Sequence, residues 1–156
     1  MPEAMLDDLL KLARKHPMNE MIYNKHPHER LRILVVEDSE MQKLIFLKAL
    51  PGIHTIRMAS DAKEGWTFYL ETAPHIVFLD IGLPDGSGND LARLIKEHNQ
   101  TTHIIMATAN SDRENKEKAV HNRVDGFIVK PISAKEINDH IERFMALRRR
   151  DMAHRS

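Results

Sequence analysis

The chain has 156 residues, with 23 Lys and Arg set against 23 Asp and Glu, 42% apolar residues and no cysteine. The length suits one domain of ordinary size with an appendage, large enough to fold without a metal or disulfide staple. Lack of cysteine excludes disulfides, thiolate catalysis and the zinc or iron–sulfur sites that need Cys, and the balanced charge leaves no global field for nucleic acid or an anionic membrane.

Residues 3–15 place Met5, Leu6, Leu9, Leu10, Leu12 and Ala13 at helical spacing, with Asp7 and Asp8 early and Arg14 and Lys15 late, the order a helix dipole favours. His16-Pro17 ends this helix, and residues 25–30, KHPHER, read as a linker. His26 and His28 flank a proline there with no third ligand at a zinc-site spacing, so a solvated linker is the reading. The first residues are acidic where a secretory signal would be basic, and no apolar run approaches the roughly 18 residues of a membrane span. A soluble, cytoplasmic protein with no membrane partner is expected.

From Leu31 onward the chain alternates strand and helix signals five times. Strands are predicted at 31–36, 54–59, 75–80, 104–108 and 126–129, several as nearly continuous apolar runs of the kind buried on both faces of a parallel sheet. Helices are predicted near 40–50, 61–72, 88–98, 112–121 and 134–149. Their starts carry cap pairs: Ser39 with Gln42, Asp61 with Glu64, Ser87 with Asp90, Ser111 with Glu114, Ser133 with Glu136. Trp66, Tyr69 and Leu70 on the second of these are expected to pack inward, and Arg148-Arg149-Arg150 to end the last, where cations suit the dipole. Five βα units imply an α/β fold, a doubly wound five-stranded parallel sheet with helices on both faces. Ligands in such folds bind at the C-terminal strand ends, where the strand order reverses.

Those ends carry chemistry. The first strand stops at Glu37-Asp38, the third at Asp80, the fourth at Thr108, and the fifth runs into Lys130-Pro131. Three clustered carboxylates repel unless something positive sits among them, and hard oxygen ligands beside a lysine suit Mg²⁺ or Mn²⁺ and a phosphate oxygen. An Asp there can act as nucleophile and form an aspartyl phosphate, with Lys130 and Thr108 steadying the phosphoryl oxygens. No Walker A or G-x-G-x-x-G sequence is present, so the donor is expected to be a protein or a small phosphodonor rather than a bound nucleotide. Blander roles compete: Glu37 and Asp38 as helix-start acids, Thr108 as a β-branched strand residue, Lys130 as a loop cation, Phe127 as a core aromatic. The turn Pro84-Asp85-Gly86 is read as shaping the loop after Asp80, with no chemistry given to Asp85.

The segments ILVVEDS (33–39), IVFLDIGLPDGSG (76–88), IIMATAN (104–110) and DGFIVKPIS (125–133) together resemble the response-regulator receiver domain of two-component signalling, over residues 31–147. The resemblance implies the flavodoxin-like (βα)5 fold. It implies Glu37, Asp38, Asp80 and Gly82 as the Mg²⁺ (or Mn²⁺) site, and Asp80 as phosphoacceptor. It further implies Thr108 as switch hydroxyl, Phe127 as switch aromatic, Lys130 as phosphate partner, and a cis peptide before Pro131. Gly82 and Asn110 fall where family members tune access of the attacking water. A metabolic enzyme is not expected; the resemblance implies self-catalysed phosphorylation and dephosphorylation of Asp80.

The implied partners are a histidine kinase or histidine phosphotransfer protein and a downstream protein docking on the face around residues 112–145. A homodimer through the N-terminal helix or that face is a further expectation. Without a DNA-reading element, the basic end supports no sequence-specific nucleic-acid binding. Two other functions stay open at this point: a phosphorelay intermediate or phosphate sink, and a phosphorylation-independent scaffold using the N-terminal helix. The expected organisation is an N-terminal extension and linker (1–30), the receiver (31–147) and a basic tail (148–156).

Overall fold

A computed structural model describes residues 30–50, 52, 54–109 and 113–154. The helix expected at 3–15, residues 25–29 of the linker, Asn110 and the cap Ser111 lie outside the described residues.

The elements run β1 (Arg32–Val36), α1 (Glu40–Ala49), β2 (Thr55–Ala59), α2 (Ala62–Thr72), β3 (Ile76–Asp80), a two-strand hairpin β4 (Gly82–Leu83) and β5 (Gly86–Ser87), α3 (Gly88–His98), β6 (His103–Thr108), α4 (Arg113–His121), β7 (Gly126–Val129) and α5 (Ala134–His154). The main sheet has the order β2-β1-β3-β6-β7, with every pairing parallel. The strand order therefore reverses at β1 and β3, and Glu37 and Asp80 stand at those two ends.

Strand alternation sorts the core onto two faces. Ile33 and Val35 of β1, Phe78 of β3 and Ile105 of β6 pack with Phe46 and Leu47 of α1 and Ile137, Ile141 and Met145 of α5. Leu34 and Val36, Val77 and Leu79, and Met106 face the other way, toward Tyr69 of α2, Leu91 and Ile95 of α3 and Ala119 of α4. β3 is buried along its whole length, IVFLD, so the apolar run ends in a carboxylate with no solvent-facing residue before it.

The caps hold the helix starts where the sequence places them. Ser39 accepts from the Gln42 amide, Asp61 from Glu64, and Ser133 from Glu136. Ser87 accepts from Asn89 instead of Asp90, although the helix begins at Gly88 as expected. α5 does not stop at the arginines. It continues to His154, since nothing after Arg150 is a glycine or proline to break it, so Arg148–Arg150 lie within the helix. Leu70 is also not packed: it is 51% exposed on the outer side of α2, while Tyr69 beside it is buried.

Candidate functional site

β1 and β3 end side by side, with Val36 in register with Leu79. That register brings the residues that follow, Glu37 and Asp38, up to Asp80; one carboxylate oxygen from each of the three lies within 4.8 Å of the others. Glu37 is 1% exposed and Asp80 6%, whereas Asp38 faces solvent. Across the sheet, Thr108 at the end of β6 is 2% exposed, and its carbonyl accepts from the Lys130 amide at 2.8 Å. The Lys130–Pro131 peptide is cis. Lys130 Nζ donates to Asp80 Oδ2 at 3.0 Å and stands 3.6 Å from Glu37 Oε1. The Gly82 amide donates to Asp80 Oδ1 at 3.1 Å.

Asp80 is thus held at both oxygens, and Glu37 is not. Both of its carboxylate oxygens are buried and accept no hydrogen bond from the described residues. Burial pushes the Glu37 carboxyl up to about 8, with a hydrogen bond shared with Asp80 in the protonated form and the charge of Asp80 adding to it; Lys130 pulls the other way. Burial lowers the Lys130 ammonium, but the hydrogen bond and charge of Asp80, and then Glu37, outweigh that and leave it raised. One lysine for three carboxylates leaves two formal negative charges. A pair of orphaned carboxylate oxygens beside two further carboxylates is a donor set that fits a hard divalent cation with oxygen ligands.

Thr108 Oγ1 donates to the carbonyl of Ala109 at 3.1 Å, so its hydroxyl is turned along its own chain. Phe127 is half-buried with the ammonium of Lys116 from α4 5.4 Å from its ring centre. Its carbonyl accepts from His140 Nε2 of α5 at 3.2 Å. The described site residues expected from the sequence, Glu37, Asp38, Asp80, Gly82, Thr108, Lys130 and Pro131, therefore sit at the C-terminal edge, and Phe127 lies along β7.

Three further residues shape this edge without having been singled out. Gly88 presses so closely on β3 that a Cβ would stand 2.1 Å from the carbonyl oxygen of Asp80, so no side chain fits. A glycine as the first helical residue, where glycine has no cap advantage, was the available signal. Asp85, read as a plain turn residue, spans from the hairpin to the start of α2, accepting from the Ala62 amide at 2.7 Å and the Lys63 amide at 3.0 Å. Lys43 of α1 is buried and donates to Ser60 Oγ, with Glu40 at 3.6 Å. A lysine in an amphipathic helix reads as solvent-facing, and nothing local in the sequence marks it otherwise.

The model of the response regulator receiver domain matches residues 33–142. The chain is 32% identical over 111 residues to the chemotaxis protein CheY of Halobacterium salinarum, covering 70% of this chain and 92% of that one. It is 30% identical to the transcriptional regulatory protein PhoP of Escherichia coli over 78% of this chain, and 32% identical to the transcriptional regulatory protein SrrA of Staphylococcus aureus over 76%. It spans only about half the length of those two relatives, 53% and 48%. Among solved structures, a beryllofluoride-activated DrrB receiver domain is 28% identical, with TM-score 0.67, over 76% of this chain and 99% of its own. A CheY-like receiver domain protein of Methanospirillum hungatei, at 22% identity, shares the fold with TM-score 0.69 over 79% of this chain and 99% of its own. With the sheet order, the acidic edge and the family match in agreement, the chain belongs to the response regulator receiver domains of two-component systems.

Proposed function

We propose that this receiver is a phosphorylation-activated switch that takes a phosphoryl group on Asp80 from a histidine kinase or a histidine phosphotransfer protein. The observation that carries the reading is the contrast between two neighbouring buried carboxylates. Asp80 is aimed by Lys130 and the Gly82 amide, while Glu37 has two oxygens that accept no hydrogen bond from the described residues, with Lys130 no nearer than 3.6 Å.

A carboxylate oxygen of Asp80 attacks phosphorus as the P–N bond of a phosphohistidine breaks, and the departing imidazole keeps the bonding pair and takes a proton. The acyl phosphate adds negative charge and acceptor oxygens at a buried edge. Mg²⁺, held by Glu37, Asp38, Asp80 and the main-chain carbonyl of Gly82, would neutralise charge on the transferring phosphoryl group when bound. Lys130 follows the charge from the carboxylate to a phosphoryl oxygen. The Thr108 hydroxyl leaves the Ala109 carbonyl to donate to another. That movement frees space at the end of β6, into which the half-buried ring of Phe127 turns. The surface formed by α4, β7 and α5 then differs between the two states and is where a downstream protein discriminates them; binding one state better by a few kcal/mol is enough to invert the populations.

The test is labelling with acetyl phosphate and Mg²⁺. Wild type is expected to incorporate phosphate and Asp80→Asn to incorporate none; equal labelling overturns Asp80 as acceptor. Rapid return of the phosphate to a histidine phosphotransfer protein, with no partner whose binding changes, would make the domain a relay or sink rather than a switch. Full function of Asp80→Asn in cells would favour a scaffold.

A further inference from the structure

Of the nine residues of α4, only Ala119 is buried, so little apolar area seats this helix on the sheet. Two polar ties on its α3 side meet at one residue. Asn89, the second residue of α3, is 4% exposed; its Nδ2 donates to the main-chain carbonyl of Asn115 at 3.2 Å and approaches Asn115 Oδ1 at 3.4 Å. From the far end of α4, Asn122 Nδ2 donates to the main-chain carbonyl of Asn89 at 3.1 Å. One residue of α3 thus ties both ends of α4.

The other side of Asn89 is rigid. It follows Gly88, whose amide donates to the Ile81 carbonyl at 2.8 Å and whose Cα lies against the carbonyl of Asp80 with no room for a methyl group. The start of α3 therefore moves with the end of β3. Asn89 Oδ1 is buried and lacks a hydrogen-bond partner among the described residues. Turning the amide over would set that oxygen against the Asn115 carbonyl and lose the bond that Nδ2 now makes. An unpaired buried acceptor is a cost that an alanine or leucine would not carry, so the amide stabilises the α4 position through its donor alone.

We propose that Asn89 is a positioning residue that tethers α4 in its resting place and carries displacement at Asp80 to it, by a route separate from Thr108 and Phe127. The proposal rests on the phosphorylation reading above. Spatial continuity is not coupling by itself; the tether and the phosphoryl group must bias the same movement of α4.

Hydrogen exchange of residues 113–122 in the full chain measures this, for wild type, Asn89→Ala and Asn122→Ala, with and without Mg²⁺ and beryllofluoride. Asn122→Ala breaks the tie from the outer end without touching α3, so the test survives if Asn89→Ala folds poorly. In the resting proteins each variant is expected to exchange about tenfold faster across α4 than wild type, the factor that one neutral hydrogen bond is worth. With beryllofluoride the three proteins are expected to converge, because the tether is already released. Mg²⁺ affinity should stay near wild type and the urea midpoint should fall only by the worth of that one bond, whereas a general loss of structure would weaken both further. Unchanged α4 exchange in both resting variants overturns the tether, as does a difference that persists undiminished with beryllofluoride. A wild type that does not respond to beryllofluoride overturns the phosphorylation reading itself, and this inference with it.

Discussion

The two edges of the sheet both bury titratable side chains, and they do so by opposite rules. At the C-terminal edge Glu37 is buried beside Asp80 with no hydrogen-bond donor on either oxygen among the described residues, and its pKa rises to about 8. At the N-terminal edge His54 and His75 precede β2 and β3, and each uses Nδ1 to accept from a backbone amide at the start of β1, from Leu31 at 3.1 Å and Arg32 at 2.9 Å. Farther along that edge, Asp125 Oδ2 takes the Lys96 ammonium and the Ile104 amide, each at 2.8 Å, with His103 3.7 Å from Oδ1. One edge closes its Nδ1 and carboxylate acceptors on backbone amides and a lysine; the other leaves an acidic group whose oxygens accept no hydrogen bond from the described residues. The closed edge is architecture and the open one is chemistry.

Acid should break the closed edge first, and this is the largest effect expected. His54 is lowered to about 4 by burial and then by the charge of His75, and His75 to about 4 by burial and then by Arg148 and Arg32. Because the unfolded imidazoles bind protons near pH 6.5 and the folded ones do not until about pH 4, their contribution is complete above 6.5 and declines as pH falls toward 4. For His54 the displacement corresponds to about 3 kcal/mol, with a smaller share from the more solvent-open His75. Urea denaturation from pH 7.5 to 4 with chelator present measures the slope. An NMR titration placing His54 near 6.5 in the folded chain would contradict it. His54→Ala sharpens the point at pH 7.5: it strands the buried Leu31 amide and should cost about 2 kcal/mol, while flattening the acid limb.

The open edge should respond with the reverse sign. A carboxyl whose folded pKa lies above its unfolded value stabilises the fold at low pH, and that contribution is lost as pH rises from about 4.5 through about 8. Glu37→Gln removes the charge and keeps the shape. At pH 8.5 with chelator it should gain about 1–2 kcal/mol, less than the pKa displacement alone suggests because Lys130 and solvent at the mouth already offset part of the repulsion. Added Mg²⁺ should stabilise wild type and leave the variant almost unmoved. A variant less stable than wild type in chelator would erase the distinction between the edges.

The difference between the edges also explains what could be read from sequence. The acidic edge was legible because its residues end apolar runs: IVFL before Asp80 and ILVV before Glu37 each announce a buried strand stopping at a charge. The same runs gave the strands within one residue and the two-sided sheet. The histidine edge was not legible, since His54 and His75 stand just before β2 and β3 and His103 begins β6, where a polar residue is unremarkable, and the partners of His54 and His75 are backbone amides of another strand. The hairpin β4–β5, the close approach of Gly88 and the asparagine ties to α4 depend on tertiary distances that no local pattern encodes. α5 runs past its expected end for a local reason: three arginines suit a helix end, but DMAH after them holds no glycine or proline, and Met152 and Ala153 are good helix formers.

Asp85 gives the smallest expected effect and the finest test of how the open edge is kept in shape. Its carboxylate is exposed, so only its two bonds to the Ala62 and Lys63 amides distinguish it from a solvated turn residue. Those bonds, the Ala62 one first, hold it below the usual Asp range, so its contribution is intact above about pH 4 and is lost only as pH falls below that. They fasten the hairpin that follows Asp80 to the positive end of α2, which Asp61 already caps through the Glu64 amide. Asp85→Ala should therefore lower the urea midpoint slightly at pH 7.5 and by less as acid protonates the wild-type carboxylate, leaving the histidine edge untouched. Because Gly82 lies on that hairpin, the same substitution should weaken Mg²⁺ binding more than it weakens the fold, and Asp85→Asn, which keeps one acceptor, should recover part of both. Equal losses at the two edges would mean that Asp85 only stiffens a loop; a loss confined to the cation would mean that the hairpin is part of the site.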